Sequence, residues 1–300
     1  MSLSVGIVGL PNVGKSTIFN SMTNAQVASE NYAFCTIEPN HGVVTVPDPR
    51  IDQIVKFIPT EKIIYNTVEF FDIAGLVKGA STGEGLGNKF LSHIRNVDAI
   101  IHIVRCFDNS DVTHVSGNID PIRDIEVINT ELILKDIETT DKRIKNTQKV
   151  AKSGDKDAAQ ELKLLDTILE KLSQGVMIHD IELSSNDIKI LKSLSLLTSK
   201  PMIYVANISD TDLPDNDNEH FQLLQEYLGK SNKTLLSLSG AIEMEISSME
   251  IEEQKEFLKE YGLKESGLNR LIRYAYKTLN LETFFTAGPK EVRAWSIKKN

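Results

Sequence analysis

The sequence predicts an α/β fold: a mostly parallel sheet with flanking helices, interrupted by an inserted antiparallel helical hairpin. Three observations carry that expectation. Short, apolar, β-branched runs alternate with helical stretches, the pattern of strands joined by crossover helices. A glycine-rich loop joins the first such run to the first helix. Residues 125–172 carry no strand signal, are rich in charge, and repeat their apolar residues at helical spacing.

The first strand is Ser4–Val8, whose unbroken apolar character suits a strand buried on both faces. A helix start follows at Ser16–Met22. Further strands are expected at Gly42–Val46, Asn66–Ile73, Ala99–Val104, Pro201–Ala206 and Thr234–Leu238. Between Ala99–Val104 and Pro201–Ala206 lies the hairpin. Ala158, Leu162, Leu165, Leu169 and Leu172 are spaced as a coiled-coil seam. Ile125, Ile128, Leu132 and, less regularly, Ile137 and Ile144 form the facing seam, and Ser153-Gly154-Asp155-Lys156 is the polar turn. A hairpin placed between two strands makes the sheet domain discontinuous in sequence.

Composition bounds the function. The chain has 300 residues, 41% of them hydrophobic and 25% charged, as in ordinary globular proteins. A formal charge of −9 argues against coating nucleic acid over the whole surface, while a local basic face stays compatible with it. Two cysteines, Cys35 and Cys106, make neither a disulfide framework nor a zinc spacing. No basic segment precedes the first apolar run, and no apolar stretch reaches the roughly 20 residues of a membrane helix. A cytoplasmic protein with no membrane partner is expected.

Gly9-Leu-Pro-Asn-Val-Gly14-Lys15-Ser16 satisfies G-x-x-x-x-G-K-[ST] and lies between a strand and a helix, as that motif requires. Main-chain N–H groups of Asn12 to Thr17 are expected to form an anion nest at a helix N-terminus. Gly14 lets the backbone approach a phosphate closely, and Lys15 reaches the β and γ phosphates. The Ser16 hydroxyl suits Mg²⁺, which prefers oxygen ligands. Asp72-Ile-Ala-Gly75 ends a strand 56 residues after Ser16; its carboxylate can hold Mg²⁺ through water, and the Gly75 N–H can contact a γ-phosphate. Thr36 is a candidate further Mg²⁺ ligand. Gly79, Gly83, Gly85 and Gly87 mark the following segment as a nucleotide-sensitive loop.

With these residues in view, the chain resembles the Obg-like ATPase family, also called YchF, among the TRAFAC-class P-loop NTPases. The resemblance is carried by GIVGLPNVGKST (6–17), FCTIEPN (34–40), VPDPR (46–50), DIAGLVKGAS (72–81), GEGLGNKFL (83–91) and HIVRCF (102–107). It continues through HVSG (114–117), DIEVINTEL (124–132), SGDKDA (153–158), GLNRLIR (267–273) and ETFFTAG (282–288). It implies a Ras-like nucleotide domain over 1–122 and 196–288, an inserted coiled coil over 123–195, and the start of a truncated TGS domain over 289–300. It also implies ATP hydrolysis with Mg²⁺ and association with ribosomes.

The base-reading motif departs from the standard N-K-x-D. Here Asn207-Ile208-Ser209-Asp210 ends a strand: the lysine is replaced by Ile208, while Asp210 is the residue a guanine reader uses. ATP is the expected nucleotide, with GTP left open. Ser239, Gly240 and Ala241 are expected to line the pocket from behind. Leu76 stands where Ras-like enzymes place the water-orienting glutamine. Attack is then expected to rely on backbone, K⁺, a loop residue or a partner, with His114 as the candidate side chain. Lys142, Lys145, Lys149 and Lys152 form a basic stripe suited to ribosomal RNA phosphates. The leading expectation is a monomeric, ribosome-associated ATP-dependent switch. A nucleotide-gated binding module with incidental hydrolysis is the alternative; a metabolic P-loop kinase would need an acceptor pocket and a lid, of which the sequence shows no sign, and the D-x-x-G loop speaks against it.

Overall fold

The computed structural model describes residues 3–27, 40–73, 86–109, 114, 117–216, 218–231 and 233–299. Its first elements are β1 (Ser4–Val8), α1 (Lys15–Val27), β2 (His41–Thr45), α2 (Pro49–Phe57), β3 (Ile63–Ile64), β4 (Thr67–Asp72), α3 (Leu86–Arg95) and β5 (Ala99–Cys106). Then come α4 (Pro121–Ala151), α5 (Lys156–Ser173), α6 (Ser185–Lys192), β6 (Met202–Ile208), α7 (Glu219–Gly229), β7 (Leu235–Leu238) and α8 (Gly240–Ser247). The last are α9 (Ile251–Glu260), α10 (Gly267–Thr278), β8 (Leu281–Ala287) and β9 (Val292–Lys298). They divide into two compact units. One holds 1–74, 97–122 and 202–300; the other holds 75–96 and 123–201.

The first unit is built on a six-stranded sheet of order β2-β4-β1-β5-β6-β7. Only β2 runs antiparallel to its neighbour. Strands β1, β5 and β6 are buried at every residue, which is why their sequences read as mostly apolar runs. Edge strand β2 alternates buried and half-buried residues instead. Because β1, β4, β5, β6 and β7 are parallel, all five end on one edge of the sheet. In open α/β sheets the ligand crevice lies outside the carboxyl ends of the strands.

A second sheet in this unit has the order β3-β9-β8. Val292 and Ala294 of β9 pack with Ile51 of α2 in a small core, flanked by Ile54, Val55, Ile63, Tyr65 and Phe285. Asp48 caps α2 by accepting from the Arg50 N–H, and Pro49 stands in its first turn. Residues 289–300, expected to open a separate domain, supply β9, which pairs with β8 from Val292 to Lys298 and with β3 at Ile63–Ile64.

The second unit contains the helical hairpin. Asp155 caps α5 by accepting from the Ala158 N–H. Its buried line is Ala158, Leu165, Ile168 and Leu172, so Ile168 takes the place expected for Leu169. Along α4 the buried positions include Ile125, Ile128, Leu132, Asp136, Thr140, Ile144 and Thr147. The expected seam placed Ile137 where the structure buries Asp136. Asp136 tolerates this because it accepts from the Leu197 and Thr198 N–H groups, at 2.9 and 2.7 Å, and from the Thr198 hydroxyl, at 2.6 Å. An apolar template cannot anticipate a carboxylate buried by its own hydrogen bonds.

Ile51→Ala should lower the unfolding free energy by about 2–5 kcal/mol in urea denaturation, because it empties the α2–β9 core. Phe57→Ala, at a residue 85% exposed on the same helix, should change it by less than about 0.5 kcal/mol.

Candidate nucleotide-binding site

The loop from Gly9 to Ser16 leaves the carboxyl end of β1 and enters α1. Asn12 and Gly14 both adopt left-handed conformations, at φ of 63° and 93°. Such a sequence of turns directs consecutive N–H groups to one side, forming an anion cradle. At Gly14 a Cβ would lie 2.3 Å from Asn207 Nδ2, so both conformation and space require glycine. Val13 is buried, and its carbonyl accepts from Asn207 Nδ2 at 2.9 Å. What Val13 offers the cleft is main chain. Lys15, 7% exposed, curls back so that Nζ donates to Leu10 O at 2.7 Å. Burial drives its pKa down to about 8, against the opposing field of Asp72.

Ser16 and Asp72 stand together. The Ser16 hydroxyl donates to Asp72 Oδ2 at 2.9 Å. Asp72 Oδ1 is buried with no hydrogen-bond partner among the described residues. A buried carboxylate oxygen without a partner is costly unless something meets it. A hydroxyl, a carboxylate and an unspent oxygen beside a lysine fit a hard divalent cation such as Mg²⁺. Thr36 and Gly75 lie outside the described residues, as do Leu76, Gly79, Gly83 and Gly85. Beneath the loop, His102 is fully buried; burial first and the Lys15 charge second hold its pKa down near 3, so it is neutral.

The other end of the cleft is built at the ends of β6 and β7. Asn207 donates to Val13 O and accepts the Gly240 N–H at 2.9 Å. One amide therefore joins the phosphate loop to the start of α8. Ile208 is 2% exposed at the end of β6. Asp210 is exposed, and its Oδ1 accepts from the Ser209 hydroxyl. The cleft, about 480 Å³, is lined by Asn12, Gly14 to Thr17, Asn207 to Asp210 and Ser239 to Ala241. A volume of this order takes a nucleotide-sized ligand.

Phe107, Asp108 and Asn109 also line it, and the sequence reading assigned them no role. The guanidinium of Arg105, 2% exposed, holds them in place. It donates to the carbonyls of Phe107 and Asn109, at 3.0 and 3.3 Å, and lies 4.6 Å from the centre of the Phe107 ring. The available signal was an arginine, with His102, inside a mostly apolar strand, Ile100-Ile-His-Ile-Val-Arg105. His114 is 5% exposed and is not among the lining residues.

Two measurements test this geometry. Gly14→Ala should abolish nucleotide binding in calorimetry, since the new Cβ displaces the Asn207 amide. A polyanion beside Lys15 raises its pKa from about 8, so binding takes up a proton above that pH. Affinity should be flat at lower pH and fall above it, by up to about tenfold per pH unit, with proton uptake visible in buffers of different ionisation enthalpy.

Residues 4–144 match the family model described as 50S ribosome-binding GTPase. The ribosome-binding ATPase YchF of Bacillus subtilis is 51% identical over 300 residues, which are all of this chain and 82% of that protein. The protein of the same name from Escherichia coli O157:H7 is 49% identical over 297 residues, covering 99% of this chain and 81% of its own. The solved YchF GTPase of Schizosaccharomyces pombe superposes with a TM-score of 0.89 at 37% identity, over 99% of this chain and 81% of that one. Identity at this level along the whole chain, with the phosphate loop, the Ser16–Asp72 pair and the Asn207 bridge all in place, shows that the chain belongs to the YchF family.

Proposed function

We propose that this protein is a Mg²⁺-dependent ATP hydrolase that works as a nucleotide-dependent switch on ribosomes. The observation that carries the reading is the cleft, where left-handed Asn12 and Gly14, buried Lys15 and the Ser16–Asp72 pair converge. Asn12 to Thr17 hold the phosphates through main-chain N–H groups, with Lys15 neutralising the β and γ oxygens. Ser16, Asp72 and Thr36 are assigned to the metal, which when bound screens charge on the phosphate oxygens. Gly75 meets the γ-phosphate. The printed names of the relatives, ribosome-binding ATPase, support both halves of the proposal.

The base is assigned to the space between Ile208, Asp210, Ser239–Ala241 and Phe107. Ile208 offers apolar surface where N-K-x-D proteins carry a lysine, which favours ATP, while Asp210 supplies an acceptor for a guanine edge. His114 is assigned to the attacking water, a role that requires it to leave its buried position, and K⁺ is the alternative aid. The nucleotide domain is assigned to 1–122 and 196–288, and the helical insert to 123–195. The protein is taken to act as a cytoplasmic monomer; among the described residues no helix is long and apolar enough to cross a membrane.

The ribosome surface is assigned to the basic stripe on α4. Lys142 is tied to Glu138 at 2.6 Å, whereas Lys145, Lys149 and Lys152 are exposed. Side chains of this kind exchange counterions for RNA phosphates, giving salt-dependent binding.

Turnover measured with and without ribosomes tests the proposal. Ribosomes should accelerate ATP hydrolysis; flat turnover with nucleotide-dependent binding would favour a binding module. Calorimetric titration should show ATP bound more tightly than GTP, and the reverse order would assign Asp210 to guanine. Lys15→Ala should abolish ATP binding. Reversing Lys145, Lys149 and Lys152 to Glu should weaken ribosome association and reduce its salt slope by about one per lost phosphate contact.

A further inference from the structure

Glu243 is a charged residue buried outside the phosphate end of the cleft, and the reading above gives it no work. It lies in α8, one turn after Ser239, Gly240 and Ala241, and is 2% exposed. Its Oε1 accepts the Gly267 N–H at 2.6 Å, and the Leu268 N–H also bonds to it. Those are the first two amides of α10. A carboxylate from a neighbouring helix thus caps α10, meeting both free N–H groups and the positive end of the helix dipole. Its second oxygen, Oε2, is buried without a hydrogen-bond partner among the described residues.

The same helix touches the pocket wall on its other side. Arg270, one turn into α10, donates to Ser237 O in β7 at 2.9 Å. Residues 239–241 are therefore bracketed by α10, at Ser237 before them and at Glu243 after them. The fit is close: a Cβ at Gly267 would lie 2.6 Å from Leu238 Cβ and 2.8 Å from Glu243 Oε1. At its other end the wall is pinned by Asn207, which accepts the Gly240 N–H.

We infer that Glu243 is a positioning residue for nucleoside recognition, fixing the Ser239–Ala241 wall by tying α8 to the N-terminus of α10. The inference rests on the assignment of this wall to the base. Three observations give it weight beyond ordinary packing. An apolar side chain would fill this space without the cost of a buried carboxylate. Burial raises the Glu243 pKa to about 7, against the opposing pull of the Gly267 and Leu268 N–H groups and of Arg270. Finally, its side-chain hydrogen bonds go from the wall's helix to α10 and to none of the phosphate-binding residues, so its removal acts first on the base end.

The test compares two probes in Mg²⁺ by calorimetry: ATP, and inorganic tripolyphosphate, which has no base. Wild type should bind both. Glu243→Ala should weaken ATP by about tenfold or more, as loss of a buried hydrogen-bond acceptor predicts, and leave tripolyphosphate within about twofold. Glu243→Gln keeps an acceptor for the α10 amides and should restore ATP binding to within about threefold of wild type. Arg270→Ala, at a half-buried site, should shift the ATP-to-tripolyphosphate ratio the same way and serves if Glu243→Ala does not fold. Equal loss of both probes in a folded variant, or ATP affinity unchanged in Glu243→Ala or Arg270→Ala, would overturn the inference. Failure of wild type to bind ATP would instead overturn the assignment of the cleft.

Discussion

The site depends on a main-chain turn held in a conformation that an isolated chain disfavours. Asn12 and Gly14 are both left-handed, a state that glycine takes freely but that costs an L-residue such as Asn12 up to roughly 1–2 kcal/mol. Asn207 offsets that cost with a buried amide that donates to Val13 O and accepts from Gly240. The turn then presents its N–H groups to the cleft before any ligand arrives, and a preorganised cradle binds an anion without first ordering itself. Lys15, leaning on the Leu10 carbonyl, stands in reserve at the same place.

Around this turn the residues fall into two layers. Those at the cleft are polar or charged: Lys15, Ser16 and Asp210 line it, and Asp72 meets the Ser16 hydroxyl. Those behind them hold loops in position: Asn207 the phosphate loop, Arg105 the Phe107–Asn109 segment, and Glu243 the Ser239–Ala241 wall. Asn218 belongs to the second layer as well. Its amide donates to Cys106 O and to Asp212 Oδ2, both at 2.7 Å, and so links the end of β5 to the turn after Asp210. Each of these residues is buried or half-buried, and each hydrogen-bonds main-chain groups in a loop or at the end of a helix or strand, where regular partners run out.

The first layer was legible in the sequence, because phosphate chemistry dictates both residue type and spacing. Gly14, Lys15 and Ser16 sit in a fixed motif, and Asp72 ends a recognisable strand. The parallel sheet was legible for a similar reason: strands buried on both faces are mostly apolar, as Ala99–Val104 is apart from His102. The second layer was not. Arg105 and Glu243 satisfy partners far away in sequence or made of main chain, and neither leaves a periodic trace. Burial of Asp136 escaped for the same reason, since an apolar template passes over a carboxylate whose acceptors are filled by Leu197 and Thr198. The sheet formed by β3, β8 and β9 was missed because β3 is two residues long and its partner lies more than 200 positions later.

The central claim is that a triphosphate sits on the amides of residues 12–17, beside a metal held by the Ser16 hydroxyl and, through water, by Asp72. A crystal structure with Mg²⁺ and a non-hydrolysable ATP analogue tests it most directly. The account predicts β- and γ-phosphate oxygens within hydrogen-bond reach of those amides and of Lys15 Nζ, with the metal next to the Ser16 hydroxyl. A nucleotide bound elsewhere, or a metal remote from Ser16 and Asp72, would contradict it.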